Sequence, residues 1–204
     1  DVLRESAGLG MAAAYVGEEY GGSSLSRLDA TLIFEGLSHG CPSIAAFLSI
    51  HNMCAWMIDS FGSEDQRKKW VPKLCSMEAF VSYCLTEPGS GSDAAALRTT
   101  AKKDGNELVL NGTKAITTGG GFTDLYIVMA RTGEEGPKGI SSVLVEKGTE
   151  GFTFGANEKK MGWHAHPTSE LQFDNCRVPA TNILGEEGFG FKYAMMGLDG
   201  GRLN

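Results

Sequence analysis

A chain of 204 residues with a net charge of -7 and 42% hydrophobic residues is long enough to bury a core and too acidic to suit nucleic acid as a partner. Its basic runs reach no further than Arg67-Lys68-Lys69 and Lys102-Lys103, too short to neutralise a phosphate backbone. Five cysteines, at positions 41, 54, 75, 84 and 176, show no C-x-x-C spacing, so a reducing compartment is expected, with cysteines serving as small core residues.

The first eighty residues read as helical. Ser26-x-x-Asp29 resembles a capping box, and Leu28, Leu32, Ile33 and Leu37 fall on one face before Gly40 and Pro42 stop the helix. A second helix is expected over 43–61, with Ile44, Phe47, Leu48, His51, Cys54, Ala55 and Ile58 on a stripe and Gly62 at its end. It is apolar almost all round, yet falls short of a membrane span and carries His51, Asn52 and Asp59, so it reads as a buried bundle helix and no membrane span is expected. His51 is expected to be a hydrogen-bonded core histidine rather than a ligand or a base. Ser63-x-x-Gln66 caps a third, charged helix that Pro72 interrupts or ends.

After residue 79 the periodicity switches. Residues 80–85, 97–103, 107–111, 114–118, 125–131, 140–146, 152–154 and 169–173 read as short strands, with turn signals at Asp104-Gly105-Asn106, Asn111-Gly112 and Gly119-Gly120-Gly121. Helical character returns after Gly188 through Phe191, Tyr193, Ala194, Met195 and Leu198. The expectation is an α+β fold: a partial helical bundle (1–79), an antiparallel β-barrel or sandwich (80–186) and the start of a second helical domain (187–204). Because residue 1 is Asp1 and the last pattern is helical, the chain reads as a piece of a longer protein.

Between the first strand and the second lies Thr86-Glu87-Pro88-Gly89-Ser90-Gly91-Ser92-Asp93, with the composition of an anion or cofactor cradle: glycines that permit close approach and hydroxyls that donate or accept. A P-loop is excluded, since Asp93 and Ala94 stand where Lys and Ser/Thr are needed. Gly89, Gly91 and Ala94 mimic G-x-G-x-x-A, but strand-like residues follow where the dinucleotide fingerprint requires a helix. His164-x-His166 has no third ligand at a convincing spacing and reads as surface histidines in a loop, so no metal site is assigned. No G-x-S-x-G elbow is present, and nothing nominates a nucleophile.

The stretch Tyr83-Cys-Leu-Thr-Glu-Pro-Gly-Ser-Gly-Ser-Asp93 resembles the signature of the acyl-CoA dehydrogenases. Asn111-Gly-Thr-Lys-Ala115, Gly136-Pro-Lys-Gly-Ile140, Lys160-Met-Gly-Trp163, Phe173-Asp-Asn-Cys-Arg-Val-Pro179 and Gly185-Glu-Glu-Gly-Phe-Gly190 follow in that family's order and spacing, and Arg27-Leu-Asp29 and Ile33-Phe-Glu35 resemble members acting on short branched acyl chains. The resemblance implies FAD as cofactor, with Tyr83, Cys84, Leu85, Thr86, Glu87, Pro88, Gly89, Ser90, Gly91 and Ser92 as a first flavin segment and Ile116, Thr117 and Thr118 as a second. It places Thr86 on the pyrimidine edge of the ring, Thr118 near flavin N5, and Ser92 against the CoA part of the substrate. Where the family has Trp or Phe, this chain has Ile116. Asp199, Gly200, Gly201 and Arg202 align with an acyl-CoA contact segment.

The resemblance further implies α,β-dehydrogenation of an acyl-CoA, with electrons passed to an electron-transferring flavoprotein. No catalytic residue is assigned within the chain, because the family's glutamate base lies in the C-terminal helical domain. A homotetramer is implied, in the mitochondrial matrix of a eukaryote or the cytoplasm of a bacterium. A straight-chain dehydrogenase, an acyl-CoA oxidase and a non-catalytic flavin- or CoA-binding module are the alternatives.

Overall fold

The computed structural model describes residues 2–201, which form two compact units. One is helical and takes the chain up to Val81, then Lys160–His166, then the chain from Met196 onward; the other holds the sheet, in Ser82–Lys159 and Pro167–Met195.

In the helical unit, α1 (Val2–Ala7), α2 (Arg27–Gly40), α3 (Pro42–Phe61) and α4 (Glu64–Cys75) run in order. Both expected capping boxes form: Ser26 with Asp29 opens α2, and Ser63 with Gln66 opens α4. The α2 stripe is corrected in part: Ile33 and Leu37 pack, partly buried, against the helical core. Ala30 and Phe34 are its buried residues, while Leu28 and Leu32 stay more than half exposed. Helical spacing groups residues into rows but does not say which row meets the core. The helix α4 runs through Pro72 to Cys75, because a proline near a C-terminus removes only one hydrogen bond of the ladder.

At twenty residues α3 is longer than the sequence suggested and reaches the length of a membrane span by length and composition. His51 and Asn52 on it are fully buried. Asn52 accepts from the Ala14 N–H at 2.6 Å and donates to the carbonyls of Met11 and Leu48. His51 donates from Nε2 to the Leu74 carbonyl at 3.0 Å and accepts at Nδ1 from the Val81 N–H, so it is a neutral core histidine joining the end of α4 to the strand that follows. Burial lowers its pKa to about 4, against a smaller opposing effect of the Leu74 carbonyl.

The sheet has eight strands: β1 (Val81–Cys84), β2 (Thr100–Asp104), β3 (Glu107–Thr118), β4 (Leu125–Arg131), β5 (Ile140–Glu146), β6 (Phe152–Phe154), β7 (Thr168–Pro179) and β8 (Ile183–Leu184). Their order is β6-β7-β3-β2-β4-β5-β8, with β1 on β4; along that order the pairing is antiparallel apart from a single parallel bridge between β2 and β4. The Tyr126 ring of β4 meets Phe152 of β6 edge-on at 4.9 Å although three strands lie between them in the order, so the sheet curls around one core shared with Val128, Val143, Leu171 and Phe173.

One expected turn and one expected strand limit are corrected. Asn111-Gly112 lies inside β3, where the register with β7 shifts, so the two expected strands are one with a bulge. Gly112 has φ 144, and a Cβ there would sit 2.7 Å from the backbone of Thr99. Gly112→Ala is therefore expected to cost about 2 kcal/mol of stability, read as a lower denaturation midpoint in urea. Likewise β7 runs on to Pro179 past Asp174-Asn175, with Asn175 taking φ 50 in place of a glycine. The first expected strand after the loop is shortened too: Ala94–Ala96 form a 3-10 turn, and pairing starts only at Thr100.

The helix α5 (Gly190–Gly201) closes the described chain. A side chain at Gly197 would press on Met53 and Met57 of α3, and one at Gly201 on Met53, so glycines spaced along α5 allow close helix packing that offsets their poor helix propensity.

Candidate functional site: the loop after β1 and its neighbour in β3

The cradle loop is held from within. Glu87 and Ser90 exchange backbone hydrogen bonds at 3.0 and 3.1 Å across Pro88-Gly89, the Ser90 hydroxyl donates to the Asp93 carbonyl at 2.6 Å, and the Ala115 N–H donates to the Thr86 carbonyl.

The strongest anchor is an ion pair out of water. Lys114, fully buried on β3, donates to Glu87 Oε1 at 2.7 Å and to the Leu85 carbonyl at 3.1 Å. Glu87 also accepts the N–H groups of Arg98 and Thr99, so both its oxygens are occupied. Burial alone would push its carboxyl up, but the Lys114 ammonium and these hydrogen bonds hold it below the usual carboxylate range. For Lys114 burial dominates and lowers the pKa, with Glu87 opposing. Nothing in residue type announced an inward-facing lysine; the bulge at Gly112 re-aims it.

A second clamp secures the far side of the loop. The Arg131 guanidinium donates to the carbonyls of Ala95, Leu97, Glu134 and Gly136, and no carboxylate pairs with it among the described residues. Between these anchors a cleft of about 320 Å³ is lined by Pro88, Gly89, Ser90, Arg98 and Thr113 among others.

Against this wiring, three nominated hydroxyls are unspent. Thr86 and Thr118 are half-buried and Ser92 is exposed, and none of their side chains makes a hydrogen bond among the described residues. Gly89 and Gly91 open onto empty space: a Cβ at either would meet nothing within 4 Å. The other nominated side chains are turned inward. Cys84 lies in the sheet core, where burial raises its thiol pKa to about 12, and Thr117 is buried with that thiol as its polar neighbour. Leu85 is buried, and the Tyr83 hydroxyl donates to the Ala194 carbonyl at 3.3 Å. Any ligand contact by Cys84, Leu85 or Glu87 runs through the backbone.

Ile116 stands out. It occupies the second bulge of β3, between Lys114 and Thr117, with φ 55 and a side chain 69% exposed. A β-branched residue in the left-handed region is strained, and strain of this kind concentrates at ligand sites.

The remaining nominations fall elsewhere. Asp199, Gly200 and Gly201 lie in the last turn of α5, in the helical unit, and Arg202 lies outside the described residues. The histidine expectation needs correction: His164 is exposed, but His166 is only 4% exposed, with the rings of Phe47 and Trp163 at 6.3 and 5.9 Å and Lys160 donating to its carbonyl. Among the described residues no group of three His, Cys, Asp or Glu side chains is placed to hold a metal ion. None of the five cysteines is in a disulfide.

Residues 1–78 match the family described as "Acyl-CoA dehydrogenase, N-terminal domain", and residues 82–176 match "Acyl-CoA dehydrogenase, middle domain". Mitochondrial isobutyryl-CoA dehydrogenase of Bos taurus is 56% identical over 204 residues, covering 100% of this chain and 49% of that protein. The structure of butyryl-CoA dehydrogenase from Megasphaera elsdenii superposes with a TM-score of 0.93 at 42% identity, over 98% of this chain and 54% of that one. PigA, solved with FAD and proline, superposes with a TM-score of 0.94 at 29% identity, over 98% of this chain and 53% of that one. The chain thus spans about half the length of the relatives it matches. With both domain families matched in order across most of its length, the chain belongs to the acyl-CoA dehydrogenase family.

Proposed function

We propose that the protein carries out FAD-dependent α,β-dehydrogenation of a short branched acyl-CoA thioester, isobutyryl-CoA first among them, and passes the electrons to an electron-transferring flavoprotein. The observation that carries this reading is the set of unspent hydroxyls at Thr86 and Ser92 on the cradle loop and at Thr118 at the end of β3, beside a Glu87 carboxylate and a Ser90 hydroxyl that are both committed within the fold. The likeness to isobutyryl-CoA dehydrogenase supports the acyl group and a mitochondrial location.

The donor set fits FAD. Thr86 and Thr118 are the hydroxyls that would meet its ring, with Ile116 and the backbone of residues 83–92 beside them, and FAD when bound supplies the acceptor for the hydride leaving Cβ. The chain's own contribution is to hold these donors still: Glu87, Lys114 and Arg131 fix the loop so that little reorganisation accompanies binding. Ser92 and the segment from Asp199 to Arg202 would take the CoA portion. The base that removes the Cα proton is assigned to residues following Asn204, as are the tetramer contacts, with domain limits at 1–79, 80–186 and 187–204.

The test is the visible spectrum of the gene's complete product with FAD, mixed anaerobically with isobutyryl-CoA or butyryl-CoA. Flavin absorbance is expected to bleach, faster with isobutyryl-CoA, and Thr118→Val to slow bleaching by about tenfold or more. A complete product that stays colourless with FAD overturns the reading in favour of a non-catalytic module; rapid reaction of the reduced form with oxygen reassigns it as an oxidase.

A further inference from the structure

Arg27, the first residue of α2, has surroundings that no ion pair explains. Its guanidinium carbon lies 3.7 Å from the centre of the Tyr15 ring and 4.5 Å from that of Trp56. Its Nη1 is buried and has no hydrogen-bond partner among the described residues. The third surface against it is the backbone of α5 at Gly200, where a Cβ would fall 2.6 Å from Cζ and 3.1 Å from Nη2. A planar guanidinium stacks on aromatic rings and lies flat against a helix backbone, which a lysine ammonium cannot do. Glycine at 200 is therefore required by contact rather than by backbone angle, and its low helix propensity is the cost of that contact.

We propose that Arg27 is a positioning residue: stacked on Tyr15 and Trp56, it forms the seat for the last turn of α5 and so fixes where Asp199, Gly200 and Gly201 are presented to acyl-CoA. The seating stands on the contacts alone; the consequence for the substrate rests on the function proposed above. Residues on α2, α3 and the preceding loop, none of which touches a reacting atom, thereby set substrate affinity. The buried, unpartnered Nη1 fits this role, since an arginine kept only for a surface charge would leave all its donors to water.

The experiment uses the complete gene product with FAD and the variants Arg27→Lys, Arg27→Met, Gly200→Ala and the double variant Arg27→Ala/Gly200→Ala. Amide hydrogen exchange over residues 196–201 is expected to quicken by about tenfold in Arg27→Lys and Arg27→Met, while exchange in β4 and β5 stays as in the parent. With isobutyryl-CoA, Arg27→Lys should raise KM about tenfold and lower kcat far less, a split that general loosening of the fold does not give. Gly200→Ala should match these effects alone and add almost nothing to Arg27→Ala, because the clash it creates disappears with the guanidinium. Unchanged exchange over 196–201 in both Arg27 variants, or full additivity of the double variant, overturns the proposal. Quickened exchange in a product that turns over no thioester leaves the seating in place and sinks the functional reading instead.

Discussion

Lys114→Met is expected to destabilise the protein by roughly 3–5 kcal/mol, the largest effect of any single substitution considered, because it leaves the Glu87 carboxylate buried without its cation. The pair has 0% and 7% exposed side chains, so solvent screening offers little relief. Glu87→Gln should cost less, since the amide oxygen can still accept from the Arg98 or Thr99 N–H while the ammonium loses its counter-charge. Replacing both, as Lys114→Met with Glu87→Gln, should recover part of the loss, which is the mark of a coupled pair. Guanidinium unfolding followed by circular dichroism measures all three. A Lys114→Met protein within 1 kcal/mol of the parent would show that the pair sits in far wetter surroundings than its burial indicates. On the function proposed above, the same variant should also bind FAD more weakly, since the loop carrying Thr86 and Ser92 hangs from this anchor.

Acidification gives the second large effect. His51 has its pKa depressed from 6.5 to about 4 by burial, so the folded state resists the proton that the unfolded chain accepts. Its contribution is complete above about pH 6.5, declines as the pH falls, and is lost by about pH 4; the gap corresponds to roughly 3 kcal/mol. A stability-versus-pH series from 7.5 to 4 should show this slope, and His51→Gln should flatten it at the expense of stability at neutral pH, where Leu74 or Val81 loses its partner. An unchanged slope in His51→Gln would assign the acid sensitivity to other groups.

Much of the fold was legible because local chemistry and tertiary role agree. Ser26 and Ser63 cap where their spacing says, Phe152–Phe154 pairs as its pattern implies, and α3 ends at Gly62. Two strand limits, at Gly112 and Asn175, were missed for one cause: residues that commonly make turns were used as bulges. Gly112 and Asn175 keep their strands going by taking positive φ within the ladder, and sequence cannot separate a turn from a bulge without the partner strand. The cradle loop was recognisable from its glycines and hydroxyls, but not which groups would remain free. That division depends on Lys114 facing inward two residues past a bulge, a fact of register rather than of composition. His166 was misread for a related reason, since its burial comes from Phe47, far away in sequence.

The interrupted path of the helical unit has a consequence for biosynthesis. Its pieces are separated by nearly the whole sheet unit, so α1 to α4 leave the ribosome well before Met196 does. At ordinary translation rates that interval lasts on the order of ten seconds. Throughout it Met53 and Met57 await the glycine face of α5, and the nascent chain carries an uncovered apolar surface that a holdase chaperone is suited to shield.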